Sequence, residues 1–136
     1  MTLENLERVR ELRSEAPDKG EFNGLVQGSK DRLEDAENAA LSYASRFDLA
    51  YSAAHGFALA ALRAAGYRTD KRYLVFQCLV HTVDLDKSQL KIFAAGHERR
   101  NLAEYEGQLE SDEPFLGELI SATKELMKLV EDIAVE

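Results

Sequence analysis

Proline stands at only two positions, Pro17 and Pro114, and between them apolar residues recur at three- and four-residue spacing. No other feature narrows the accessible folds as much. A long stretch without the strongest helix breaker, carrying helical periodicity, buries its apolar faces by packing helix on helix. The glycines mark most of the breaks. Leu3, Leu6, Val9 and Leu12 define a short amphipathic helix that ends before Ala16-Pro17-Asp18-Lys19-Gly20, where Pro17 disfavours helix at Ala16. Gly24 and Gly28 extend that loop. Residues 1–28 are therefore expected to form an arm, docked on its own bundle or on a neighbouring chain, and residues 29–136 the bundle itself.

A helix is expected from Ser29, with Asp31, Glu34 and Asp35 in its first turns, where the helix dipole favours carboxylates. Its apolar face runs through Leu33, Ala36, Ala40, Tyr43 and Phe47, either unbroken or restarting with Ser45 as N-cap and Asp48 three positions on. A further run through Leu49, Ala54, Phe57, Ala61 and Leu62 ends at Gly66. Eleven alanines fall between Ala39 and Ala65; such small side chains let neighbours approach closely, which places this helix at the centre. Tyr73–Leu85 is rich in β-branched and aromatic residues but does not alternate, and reads as a buried helix from about Asp70. Ser88 is the expected cap of a long helix stopped by Gly107. Asp112-Glu113-Pro114 opens the last helix, whose stripe is Phe115, Leu116, Leu119, Ile120, Leu126, Met127, Val130 and Ile133. The expectation is an all-α up-and-down bundle with an additional short N-terminal helix.

The length suits one domain. One cysteine, Cys78, cannot close an intrachain disulfide, which favours a reducing, cytoplasmic setting. The first residues do not read as a secretory signal, and no apolar run suggests a membrane span. No nucleotide-binding or hydrolase fingerprint occurs, so no cofactor is expected. Cys78, His81 and Asp84 share helical spacing, but without a Glu-x-x-His pair no metal is expected; Cys78 and His55 read as packing residues.

The net charge of -8 opposes indiscriminate binding to duplex nucleic acid, yet it is unevenly spread. Residues 1–37 carry -4 and residues 110–136 carry -6, whereas residues 38–75 carry +3, chiefly at Arg63, Arg68, Lys71 and Arg72 with Tyr67 and Tyr73 among them. Basic residues beside aromatics suit single-stranded nucleic acid. The simpler reading, cations offsetting the dipole at a helix C-terminus, is the stronger one here.

The most unusual segment is Gly96–Gly107. His97, Arg100, Asn101, Glu104 and Tyr105 fall at i, i+3, i+4, i+7 and i+8 and share one side of a helix, continuing the apolar line of Leu90, Phe93 and Ala94. An apolar stripe that turns polar and takes in a guanidinium is a cleft, a buried network or an interface. Glu104 is the local partner for Arg100.

At these residues the chain resembles the HEPN domains, small helical bundles. The likeness lies in SRFDLAYSAAHGFALAALRAAGY, from Ser45 to Tyr67, followed by RRNLAEYEG, from Arg99 to Gly107. It implies a four-helix bundle of HEPN type, a homodimer whose motif helices face each other across a cleft, and RNA or a nucleotide as ligand. It also implies a toxin–antitoxin or defence setting with a nucleotidyltransferase-type partner. In the family's ribonucleases an arginine, commonly followed by a polar residue, is separated from a histidine by four to six residues. Here Arg100 and Asn101 match, whereas the windows after Arg99 and Arg100 hold Glu104, Tyr105, Glu106 and Gly107. The first expectation is therefore a binding module with a polar cleft around Arg99–Tyr105, to which His97, Arg99 and Glu104 contribute. The second is a metal-independent ribonuclease using Arg100, Asn101 and Tyr105, with His97 as a substitute base. The third is an acidic structural adaptor.

Overall fold

The computed structural model describes residues 2–135. The chain is predominantly helical, as expected, and among the described residues no helix is long and apolar enough to cross a membrane. Four long helices carry the structure: α2 (Lys19–Ala36), α3 (Tyr43–Ala64), α6 (Lys87–Glu106) and α7 (Glu113–Glu131). Shorter pieces are α1 (Leu3–Arg8), α4 (Arg72–Gln77) and α5 (Leu79–Thr82). Two-residue strands β1 (Arg13–Ser14) and β2 (Tyr67–Arg68) pair antiparallel, with Arg13 opposite Arg68 and Ser14 opposite Tyr67.

Helix α3 is central, packing against α2, α7, α6, α4 and α5. Its alanines 50, 53, 54, 58, 60 and 61 are buried together with Phe47, Tyr51, Phe57 and Leu62. Helix α7 lies against α3 and α2 through Phe115, Leu116, Leu119, Ile120, Leu126 and Val130. Each such side chain contributes about 1.5–3 kcal/mol by leaving water. Helix α6 packs on α7, α3 and α4, on the other side of the α3–α7 pair from α2.

Several boundaries differ from expectation. Helix α1 stops at Arg8, because Arg10 adopts a left-handed conformation (φ 64°) that turns Leu12 back into the core at 2% exposure. Helix α2 begins at Lys19 and runs without interruption through the expected boundary between residues 28 and 29, with Gly20, Gly24 and Gly28 inside it. Asp18 accepts a hydrogen bond from the Glu21 N–H at 3.0 Å, and Phe22, Ser29, Leu33 and Ala36 bury one face. That burial outweighs the roughly 1 kcal/mol that each interior glycine costs relative to alanine. Asp31, Glu34 and Asp35 consequently lie in the later turns of α2. The segment outside the bundle shrinks to residues before α2.

The break before α3 falls at residues 37–42, and Ser42 rather than Ser45 is the N-cap, accepting from the Ser45 N–H at 3.2 Å. The helix expected from Asp70 to Leu85 is two short pieces meeting at Cys78, and the chain is extended at Val83. The β-branched Val80, Thr82 and Val83 are poor helix formers. Helix α6 starts one residue ahead of Ser88, with Asp86 at the cap position. Its C-terminus is as expected: Gly107 takes φ 66° and donates to the Leu102 carbonyl. Asp112 caps α7 by accepting from the Phe115 N–H at 3.1 Å, and Pro114 sits in the first turn.

Candidate functional site

Helices α3 and α6 meet at a polar seam. The two close in on each other at Gly96, where a Cβ would lie 3.6 Å from Leu119 and 3.9 Å from Tyr51. One residue further along α6, the His97 ring is half-buried between α3 and the surface. The Asn101 side-chain amide donates to its Nε2 across 3.2 Å, and its Nδ1 lies 3.1 Å from the Tyr51 hydroxyl. With Nε2 accepting, a neutral ring carries its proton on Nδ1 and donates it to Tyr51. Burial lowers the His97 pKa, and the charges of Arg100 and then Arg72 lower it further, so the ring is neutral at pH 7. Arg100 is fixed by Glu104 at 2.6 Å and lies 5.7 Å from the centre of the Tyr51 ring.

His97, Arg100, Asn101 and Glu104 are thus gathered as their spacing predicts. Arg99 is not among them. It turns to the α7 cap, pairing with Asp112 at 2.8 Å and lying 3.8 Å over the Phe115 ring. Tyr105 is 76% exposed and makes no contact with Arg100; it borders a shallow groove of about 530 Å³ with Tyr73, Ala94, His97 and Asn101. An adjoining apolar hollow of about 420 Å³ is lined by Tyr73, Phe76, Val80, Leu90 and Ala94, and His97 closes its end.

From α3 and α4 come Tyr51, His55, Arg72, Tyr73 and Phe76: in sequence neither Tyr51 nor Phe76 stands out, His55 reads as a packing residue, and Arg72 and Tyr73 belong only to the basic cluster. Tyr51 and His55 stand one turn apart on α3 and both meet Phe76, whose ring centre is 5.7 Å from that of Tyr51 and 5.8 Å from that of His55. Their i, i+4 spacing was the available signal. The basic cluster resolves largely as ion pairs with the segment ahead of α2 and its first turn, rather than as helix-end charges. Arg63 and Arg68 pair with Glu15 and Glu21, and Lys71 with Glu11. Among the described residues Arg72 makes no ion pair, and its charge reaches both imidazoles.

Cys78 is buried, which pushes its thiol up to about 11, and no group of three or more metal-ligating side chains occurs among the described residues. Burial, with help from Arg72, Arg100 and His97, lowers His55 to about 4 from an ordinary 6.5. An unfolded chain binds that proton near 6.5 and the folded one only near 4, so the neutral ring's contribution to stability is complete above 6.5. It is lost as pH falls from 6.5 towards 4. Urea midpoints should therefore drop between about pH 7 and pH 5, and His55→Gln should flatten the drop. An equally steep drop in the variant refutes the assignment. No family model, curated protein or solved structure matches this chain.

Proposed function

We propose that the chain is a HEPN-like helical binding module that acts as a homodimer, α6 of each copy lining a shared cleft that takes up single-stranded RNA. One observation carries this reading: helix α6 spans twenty residues yet buries only Phe93 and Gly96. Beside it Tyr73, Val80, Leu102 and Tyr105 are exposed, and the neutral His97 with its Tyr51, Asn101 and Arg100 neighbours occupies the middle of that face. Exposed tyrosines flanking a cation suit base stacking along a strand, and a helix face left uncovered with exposed Leu102 and Tyr105 suits a second copy. The net charge of -8 disfavours indiscriminate uptake elsewhere on the surface.

The test is light scattering for stoichiometry combined with fluorescence anisotropy on a labelled single-stranded RNA. A dimer is expected, with saturable binding that weakens at least about tenfold in Tyr105→Ala and Arg100→Ala. A monomer whose RNA binding neither saturates nor responds to these changes refutes it. A metal-independent ribonuclease is the second reading, favoured by a neutral imidazole beside an arginine. Against it, Asn101 occupies the imidazole nitrogen that a base would need. Cleavage of RNA in chelator, lost in Arg100→Ala, would establish the enzyme in place of the binder.

A further inference from the structure

A cavity of about 460 Å³ opens between α2, α3 and the start of α4, and two of its lining residues, His55 and Arg72, also border the α6 site. Glycines shape the floor and rim. Gly24 has no atom within 4 Å of where its Cβ would be, which leaves the rim open, and at Gly56 a Cβ would fall 2.0 Å from the Ser29 hydroxyl, so only glycine lets Ser29 approach α3 there. The side chains around the cavity are mostly donors: Arg32 from α2, Ser52 and His55 from α3, and Arg72 from α4, with buried Ser29 beneath. Among the described residues neither Arg32 nor Arg72 makes an ion pair, in a chain with 25 acidic and 17 basic side chains. Arg32 folds back along its own helix, its Nη1 3.0 Å from where a Gly28 Cβ would be. The cavity's one carboxylate, Glu21, is already neutralised, Arg63 holding Oε1 at 2.6 Å and Arg68 holding Oε2.

Two guanidiniums without ion pairs, an imidazole and two hydroxyls match the charge and acceptor pattern of a tetrahedral oxyanion, and the space leaves room for a group attached to it. We propose that this cavity binds the phosphoryl group of a phosphate monoester, with Arg32 and Arg72 taking its charge and Ser52 and His55 its remaining oxygens. The phosphoryl group is the recognised chemistry, whether free or carried on a nucleoside. Burial first, and then the charges of Arg72, Arg100 and His97, oppose protonation of His55, and a bound dianion would offset the charge part of that field.

The experiment is a titration of the full chain with inorganic phosphate, and separately with adenosine 5'-monophosphate, at about 0.15 M NaCl, where exposed charges are screened. Nuclear magnetic resonance reports the His55 ring and the Ser52 amide. Saturable shifts at both are expected, with the His55 titration moving upward. Arg32→Ala should weaken binding at least about tenfold, Arg32→Lys less, and the exposed control Lys19→Ala not at all. Equal affinity for the two probes assigns recognition to the phosphoryl group alone; tighter binding of the monophosphate adds the nucleoside; both support the site. Shifts that do not saturate, or that survive Arg32→Ala, overturn it. Arg32 lies outside the α6 face, so loss of dimerisation or RNA binding leaves this result untouched, and the converse also holds.

Discussion

Arg63→Ala is expected to cost about 3 kcal/mol and to free the segment ahead of α2 before the bundle itself unfolds. Arg63 closes the last turn of α3 and is 2% exposed. Its Nε donates to Glu21 at 2.6 Å, Nη2 to the Ala16 carbonyl at 2.8 Å, and Nη1 to the carbonyls of Glu15 at 2.9 Å and Tyr67 at 3.4 Å. One side chain thus satisfies three backbone oxygens, two of them on the chain entering α2. Truncation removes the partner of all three, though water can reach the exposed Glu15 and Ala16 and take up part of the loss. The lower end of the range for a broken buried pair applies, because the Glu15 side chain is 48% and that of Glu21 34% exposed, so water reaches them.

Urea midpoints give the total, and hydrogen exchange at the Glu15 amide, which donates to Gly66 at 2.9 Å, reports the local release. Arg63→Lys should recover little, since one ammonium cannot reach a carboxylate and three carbonyls together. A loss under about 1 kcal/mol contradicts the clamp. The acid limb follows the same contacts. Hydrogen bonds from Arg68 and Arg63 hold the Glu21 carboxyl below its ordinary 4.5, so its contribution is present above that pH and disappears as acid protonates it.

How far the fold was legible depends on where each signal resides. Asp112 with Pro114, Gly107 and Gly66 act through local backbone chemistry, and the structure uses each as the sequence suggests. Helix α2 hid because its evidence is tertiary. Three glycines argue for a loop, and only the burial of Phe22, Ser29, Leu33 and Ala36 against α3 and α7 overrides them. Asp18 with Glu21 three residues on was a readable start. A strand pair two residues long carries no periodicity at all.

The site divides in the same way. His97, Arg100, Asn101 and Glu104 were recoverable from helical spacing, because one helix contains them. Arg99 sits next to Arg100 in sequence and so, by the helix's own geometry, projects about 100° away, towards Asp112. Tyr51, His55 and Arg72 come from α3 and α4, and only packing brings them to α6. The excess cations of residues 38–75 suggest helix-end charges in sequence, whereas the structure pairs Arg63, Arg68 and Lys71 with Glu11, Glu15 and Glu21; composition also does not separate Arg72, which makes no ion pair among neighbours that do.

Phe93→Ala is expected to cost about 3–5 kcal/mol and to detach α6 selectively. Phe93 is 1% exposed and stacks on Phe76 with ring centres 5.7 Å apart. The only other buried residue of α6 is Gly96, which has no side chain to hold it. Leu90, Ile92 and Ala95 pack on the core only partly buried and His97 adds one contact to Tyr51, so Phe93 is the one fully buried side chain that holds this twenty-residue helix, with Arg99 on Asp112 at its far end. Helix α7 by contrast buries eight residues and should retain its protection. Hydrogen exchange should then show the α6 amides opening well below the free energy of α3 in the variant; simultaneous opening of both helices refutes the single-anchor account. A second copy seated on α6 binds only the folded helix, so it must restore stability by mass action, about 2.7 kcal/mol at a hundredfold excess over its dissociation constant. The Tm of Phe93→Ala should accordingly rise with protein concentration, more steeply than that of the unaltered chain. A Tm independent of concentration would leave α6 an uncovered helix on a monomer and remove the homodimer from the functional reading.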